Sequence, residues 1–281
     1  MTRLGVLGWP VAHSRSPAIH NAALAALGME GWRYQRLPVP PALFEETTRA
    51  LGPAGFLGAN VTIPHKQAAL ALASSASRAA REIGAANTLT FAADGTIAAE
   101  NTDAPGLIAA LELLPDLPAH PRALVLGAGG SARAVAWALR EAGASSVAVW
   151  NRTAERARTL ARELSVQAVS APEPADLLVN CTSVGLRAPV GVERSATDAE
   201  ALNQLGMTFD QVGEYPHVID LVYRSGSTPL LAAATAHGAG TVDGLDVLVA
   251  QGALSFELWT GREAPLEVMR RAVREEDAAP A

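Results

Sequence analysis

Short apolar runs at residues 4–7, 32–39 and 58–66 predict buried strands, and the stretches 18–27, 41–51 and 67–83 between them carry helical spacing of Ala and Leu. Pro17 suits the first helical position of the first of these helices, with Ser16 before it as an N-cap. That role leaves Ser14 unexplained, and two hydroxyls one residue apart also suit a polyhydroxyl ligand. Residues 84–88 open a hairpin with Asp94-Gly95 as its turn, and its second strand ends in Glu100-Asn101-Thr102-Asp103. Asp103 stands before Ala104-Pro105-Gly106 and an apolar helix, so N-capping is one reading of it. Alternating strands and helices with one antiparallel hairpin predict a mixed-sheet α/β domain.

A proline-punctuated segment at 115–122 marks a boundary. Beyond it an apolar strand, 123–126, runs into Gly127-Ala128-Gly129-Gly130-Ser131-Ala132, then a helix over 131–142 closed by Gly143 and a second strand at 146–150. In this strand–turn–helix–strand setting the G-x-G-x-x-A pattern predicts a dinucleotide site, because glycines let backbone approach a diphosphate at a helix N-terminus. Asn151-Arg152-Thr153 follows the second strand where an NAD site would place an acid; Arg152 can instead fork onto a 2′-phosphate, which favours NADP. Arg158 and Arg162 read as solvated helix residues. Residues 175–181 predict another buried strand, with Thr182 following it beside the expected cofactor site. Residues 186–215 read as a surface excursion with one helix. A strand at 217–222 leads to Tyr223, a helix covers 230–237, and 240–244 is a last strand and turn. Helical patterns then cover 245–259, with Gln251 among apolar neighbours, and 266–274, before a frayed tail at 275–281.

Composition narrows the function. The chain has 281 residues, 49% hydrophobic but only 5% aromatic, so its core is built from Ala, Val and Leu. Net charge is −6 and no dense basic run occurs, which argues against nucleic acid as partner. One cysteine, Cys181, excludes an intrachain disulfide and fits a reducing, cytoplasmic setting. The N-terminus reads as a strand and turn rather than a signal peptide, no stretch has the uninterrupted apolar length of a membrane span, and no metal is called for. Among 22 Lys+Arg, only Lys66 is lysine. A surface cation tolerates either type, whereas an ammonium, unlike a guanidinium, can be brought to exchange a proton near neutral pH. Lys66 follows Val61-Thr62-Ile63 and Pro64 at a strand's carboxyl end, where open α/β sheets bind ligands.

Together Ser14-Arg15-Ser16-Pro17, residues 58–66, Ala86-Asn87-Thr88, Asn101-Thr102-Asp103, residues 127–133, Asn151-Arg152-Thr153, Asp243-Gly244-Leu245 and Val249-Ala250-Gln251 resemble the shikimate dehydrogenase family over nearly the whole chain. The resemblance implies NADP-linked interconversion of 3-dehydroshikimate and shikimate. It implies a two-domain α/β fold with a cleft between the domains: a mixed-sheet substrate domain, 1–103 plus about 245–281, and a Rossmann-like NADP-binding domain, about 104–244. By motif, Lys66 and Asp103 are similar to the catalytic pair. Ser14, Ser16, Asn60, Thr62, Asn87, Asp103, Tyr223 and Gln251 are similar to substrate contacts, with a buried structural amide as the rival role for Asn60. Gly127, Ala128, Gly129, Gly130, Ser131, Asn151, Arg152, Thr153, Arg156, Thr182, Leu221 and Gly244 correspond to the cofactor site. The chain departs from the family pattern in having no acid over 74–81, Ala104-Pro105 after Asp103, and Asp246 where a small or apolar residue is usual. A relative that also oxidises quinate, a catalytically silent NADP-sensing regulator and a one-carbon folate dehydrogenase remain as alternatives. The expected partner is a small-molecule substrate, with no nucleic acid and no membrane, the chain working as monomer or homodimer.

Overall fold

The computed structural model describes residues 1–186, 198–224 and 226–278. It contains two compact units, Met1–Gly106 with Leu248–Ala281, and Leu107–Val247. In the first, chain order runs β1 (Thr2–Gly8), α1 (Ser16–Ala26), β2 (Trp32–Pro38), a 3-10 turn at Pro41–Leu43 leading into α2 (Phe44–Leu51), β3 (Phe56–Val61), α3 (Lys66–Leu72), β4 (Ser75–Ala76), α4 (Arg78–Ile83), β5 (Thr88–Phe91), β6 (Ile97–Glu100) and the start of α5 (Asp103–Leu111). The sheet order is β2-β1-β3-β5-β6-β4, with β5 alone antiparallel to both its neighbours. Leu7, Ala59, Val61 and Leu89 are buried on it with Phe44, Ala69 and Leu72 from the covering helices.

The helical segments expected over 67–83 are α3 and α4; between them lies β4, where Ser74 and Ser77 donate their N–H groups to Ile97 and Ala99 on the hairpin. Two residues of strand are too few to leave a periodic signal. Two expectations are corrected here. Ser16 is not the N-cap of α1. The helix includes it, no side-chain cap bond is made at the cap position, Arg15, and Ser14 Oγ accepts the Ser16 N–H and donates to the Ser16 hydroxyl oxygen. The strand through residue 61 ends there; Thr62 to His65 form a turn, and Lys66 opens α3.

The second unit contains β7 (Arg122–Leu126), α6 (Gly130–Glu141), β8 (Ser146–Trp150), α7 (Ala154–Leu164), β9 (Gln167–Ala168), β10 (Leu177–Asn180), α8 (Asp198–Gln204), α9 (Phe209–Val212), β11 (His217–Asp220), α10 (Pro229–Ala236) and β12 (Gly240–Val242). Its sheet is parallel throughout, in the order β12-β11-β10-β7-β8-β9. Residues 187–197 of the expected surface excursion lie outside the described residues. The remainder is not surface alone: its polar positions are exposed, but Leu202, Leu205, Met207, Val212 and Tyr215 are core, packed with Leu178 and Val218. Leu202 and Val212 lie on α8 and α9, and Leu205, Met207 and Tyr215 in the segments that follow them, which breaks any single period. The chain then continues through α11 (Gly244–Thr260) and α12 (Leu266–Ala278), so helix replaces much of the expected frayed tail, and 279–281 lies outside the described residues. Among the described residues no helix is long and apolar enough to cross a membrane.

α11 returns to the first unit through a close contact. A Cβ on Gly58 would lie 2.1 Å from the Trp259 indole nitrogen, so only glycine lets that ring lie on β3 and donate to the Leu89 carbonyl at 3.1 Å. Beside the indole, His20 stacks on Tyr34 with centroids 4.2 Å apart and planes 1° from parallel. His20 is fully buried, and among the described residues neither ring nitrogen finds a hydrogen-bond partner. Burial pushes the imidazole down to about 3, with Asn60 alongside offsetting only part of that cost. The fold thus refuses a proton that the unfolded chain binds below 6.5. Stability is complete above that pH and falls on acidification, by about 1.4 kcal/mol per pH unit for one such group. His20→Phe keeps a stacked ring and removes the titration. In denaturant unfolding, its stability relative to the parent is expected to rise by about that slope on each unit of acidification below the histidine range. A pH-independent difference would contradict the assignment.

Candidate active site

Topology gathers the chemistry-bearing residues. β1, β3 and β6 run in one direction and β5 in the other, so the turns after β1, β3 and β6 and the residue before β5 share one sheet edge. Those segments carry Ser14 and Ser16, Thr62 to Lys66, Asn101 to Asp103, and Asn87. Backbone bonds fix their register: Val61 N–H to the Asn87 carbonyl at 2.8 Å, Asn87 N–H to that of Glu100 at 3.1 Å, and Ala86 N–H to that of Lys66 at 2.9 Å.

At this edge Lys66 Nζ donates to Asp103 Oδ2 at 2.7 Å. The pair is only partly accessible, at 10% and 17% of the side chains. The other Asp103 oxygen, Oδ1, accepts from Asn87 Nδ2 at 2.9 Å. The capping expectation for Asp103 is therefore corrected: Asn101 Oδ1 accepts the Ala104 N–H at 3.1 Å, and Asn101 Nδ2 donates to the Ala85 carbonyl. With a neighbour serving as the helix cap, both carboxylate oxygens turn to side chains. The signal was present in the sequence, since Asn101 stands three residues before Ala104, the spacing of a capping side chain to its N–H.

Asn87 is the hub. Its Nδ2 also lies within bonding distance of Thr102 Oγ1, at 2.9 Å, and Gln251 Oε1, at 3.2 Å, while its Oδ1 accepts the Thr102 N–H at 2.7 Å. Gln251 is aimed by its own Nε2, which donates to the Leu248 carbonyl. Its approach depends on Gly106, where a Cβ would lie 2.8 Å from Gln251 Cβ and 2.9 Å from its backbone nitrogen. Gln251 is thus buried against the hub. Asn60 extends the network inward, accepting from the Tyr34 hydroxyl at 2.7 Å and donating to Thr88 Oγ1 at 3.1 Å. Thr88 and Thr102 enter the sequence reading only as members of motifs and Tyr34 only as a residue of a predicted strand; none carries a role there.

His65, the last residue of this turn, is occupied elsewhere, bonded through Nε2 to the Val39 carbonyl and stacked on Phe44, which leaves Lys66, next in the chain, as the group that can exchange a proton here. Ser14 and Ser16 are buried and bonded to one another at 3.2 Å. Thr62 is half-buried over Gly8, where a Cβ would meet its methyl. Tyr223 belongs to the second unit, on the segment after β11.

The second unit has the features a dinucleotide requires. Gly127 has φ +108, a conformation side chains disfavour, and its N–H is held by the Trp150 carbonyl at 2.8 Å. Gly129 is the extended N-cap of α6 with no side-chain cap, and a Cβ there would meet nothing within 4 Å. An uncapped helix start beside open space fits a diphosphate that takes N–H donors from Ala128 to Ser131. After β8, Asn151 Nδ2 donates to the Thr153 carbonyl, and Arg152, Thr153 and Arg156 are exposed. Glu155 holds Arg158, while among the described residues no carboxylate pairs with Arg152 or Arg156. Thr182 bonds Asn180 through both N–H and hydroxyl. A Cβ on Gly244 would lie 2.5 Å from the Leu221 carbonyl oxygen, so this glycine admits the close passage of that peptide. These residues fit NADP(H).

Comparison with known proteins agrees with both halves. Residues 6–89 match the shikimate dehydrogenase substrate binding domain, 110–183 the shikimate/quinate 5-dehydrogenase family and 244–274 the shikimate 5′-dehydrogenase C-terminal domain. Shikimate dehydrogenase (NADP(+)) of Methanopyrus kandleri is 42% identical, covering 97% of this chain and 94% of its own. That of Thermus thermophilus is 44% identical over 98% of each chain. The crystal structure of shikimate 5-dehydrogenase from a second strain of Thermus thermophilus, in complex with NADP(H) and shikimate, superposes with a TM-score of 0.83 at 42% identity, covering 98% of this chain and 99% of that one. The chain belongs to the shikimate dehydrogenase family.

Proposed function

We propose that the protein interconverts 3-dehydroshikimate and shikimate with NADP(H). The observation that carries the catalytic part is the bond from the chain's only lysine to a carboxylate whose other oxygen is already held. Ketone reduction requires a hydride at carbon and a proton at oxygen. Bound NADPH supplies the hydride. Lys66 points an ammonium at the reacting oxygen, stabilises the negative charge that develops there and gives up a proton to it; in the oxidising direction it takes that proton back. Asp103 fixes the position of Nζ and accepts from the substrate hydroxyl. Held between Lys66 and Asn87, it cannot rotate away from either task.

The first unit, with the C-terminal helices, acts as the substrate domain. Ser14, Ser16, Asn60, Thr62, Asn87, Tyr223 and Gln251 bind or backstop the polyol acid, two buried hydroxyls and two amides suiting adjacent ring hydroxyls and a carboxylate. Asn60 does so from behind Asn87 and Thr88. Gly127 to Ser131 hold the diphosphate, Asn151, Arg152, Thr153 and Arg156 the 2′-phosphate side, and Thr182, Leu221 and Gly244 the far end of the cofactor. The reaction takes place in the cytoplasm, in keeping with a single thiol.

The primary test is loss of NADPH absorbance with 3-dehydroshikimate, repeated with NADH and, in reverse, with quinate. Lys66→Arg keeps the charge and removes the exchangeable amine; kcat is expected to fall about 100-fold or more, the usual worth of a positioned proton donor, with KM for substrate moving far less. Normal turnover would rule out the amine's role. Arg152→Ala is expected to raise KM for NADPH roughly tenfold or more, the worth of one charge-assisted contact, and to leave KM for 3-dehydroshikimate unchanged. Equal shifts in both constants would contradict the 2′-phosphate assignment.

A further inference from the structure

The second unit holds a carboxylate that none of these roles uses. Asp220, at the end of β11, is 1% exposed, and every hydrogen bond to it comes from a different segment. Its Oδ1 accepts from Asn180 Nδ2 at 2.8 Å, at the end of β10, and from the Val222 N–H at 3.0 Å, in the segment that follows it. Its Oδ2 accepts from Thr228 Oγ1 at 2.6 Å, and Thr228 in turn caps α10 by accepting the Leu231 N–H. The connection runs further on the β10 side. Asn180 Oδ1 receives both the N–H and the hydroxyl of Thr182, whose oxygen takes the Val184 N–H, and the Asn180 carbonyl takes the Leu221 N–H at 3.0 Å. Two turns at the carboxyl edge of the sheet, 181–184 and 221–223, and the start of a helix are thus tied to one side chain.

A buried carboxylate is costly, and here burial pushes it up to about 6 despite three hydrogen bonds and the nearby Arg224. Packing alone would be served as well by an apolar residue. The position of the turns supplies another reason. In the order β12-β11-β10-β7-β8-β9 the phosphate turn follows β7 and Arg152 follows β8. A dinucleotide with its 2′-phosphate at Arg152 lays its other half toward the ends of β10 and β11, where these two turns lie.

We propose that Asp220 is a positioning residue for the nicotinamide half of the cofactor. It does not touch the cofactor; it sets the shape of the Thr182 and Leu221–Tyr223 turns by accepting hydrogen bonds from both sides, and Gly244 locks the second turn by admitting the Leu221 carbonyl. The inference rests on the NADP reading above and adds a division of labour to it. The adenosine half is held independently of Asp220, and the nicotinamide half depends on it.

The test compares two probes by calorimetric titration without substrate: NADPH, and adenosine 2′,5′-bisphosphate, which lacks the nicotinamide half. Asp220→Ala is expected to weaken NADPH about tenfold and leave the bisphosphate within about twofold. Asp220→Asn, which keeps an acceptor for Asn180 and Val222 and can donate to Thr228, is expected to recover most of the loss. Should the alanine chain not fold, Thr228→Val withdraws one donor without altering the sheet, and a threefold loss confined to NADPH is expected of it. Equal weakening of both probes, which a purely structural role would give, or no weakening of either would overturn the proposal. If the wild-type protein binds NADPH but not the bisphosphate, the assignment of Arg152 fails, and the division of labour fails with it. Binding of neither probe would remove the cofactor reading itself.

Discussion

The arrangement depends on keeping one carboxylate from acting as a helix cap. Asp103 opens α5, where an acid ordinarily turns back to the first free N–H groups. Asn101 takes that role and anchors itself on the Ala85 carbonyl, so Asp103 projects to Lys66 on one side and Asn87 on the other. A largely buried ion pair gains little net stability, because desolvation offsets most of the Coulomb attraction. What the pair gains from Asn87 is direction. An amide whose oxygen already accepts the Thr102 N–H has its donor end committed toward the carboxylate.

The two units solve different problems with the same material. In the first, a mixed sheet brings turns from three parallel strands and the entry to one antiparallel strand to a single edge, and side-chain amides bind them together. In the second, a parallel sheet exposes main-chain N–H groups at an uncapped helix start, and a carboxylate at the end of β11 organises the flanking turns. Glycine serves both by its absence of a side chain: Gly106 admits Gln251, Gly58 admits Trp259, and Gly244 admits the Leu221 carbonyl. The chain crosses from one unit to the other inside α5 and again inside α11, so the helices that carry Asp103 and Gln251 each belong to both.

Much of this was legible in the amino-acid pattern, for physical reasons that also mark where legibility ended. The βαβ unit around Gly127 was readable because glycine spacing, strand and helix are local features. Lys66 stood out because every other basic residue except histidine is arginine, and its pairing with Asp103 came from family resemblance, not from spacing across 37 positions. The capping reading of Asp103 does not hold because a neighbour, Asn101, takes the helix N–H, and the sequence does not rank two such competitors; that of Ser16 does not hold because the helix starts at Ser16 itself. The core role of Leu202 to Tyr215 was hidden because two short helices and the segments that follow them share no single period. The costs attached to His20 and Asp220 could not be read at all, since burial is set by elements distant in the chain.

The lone lysine also makes the central claim directly measurable. Lysine-selective 15N labelling gives a single side-chain signal from Lys66, with no assignment needed. If Asp103, held by Asn87, is the partner of Nζ, that signal differs at neutral pH from that of a free lysine side chain. It moves toward the free position in Asp103→Asn and shifts again when shikimate is added to the wild-type protein. A wild-type signal at the free position, unchanged by the Asp103 substitution and by the ligand, would contradict the account.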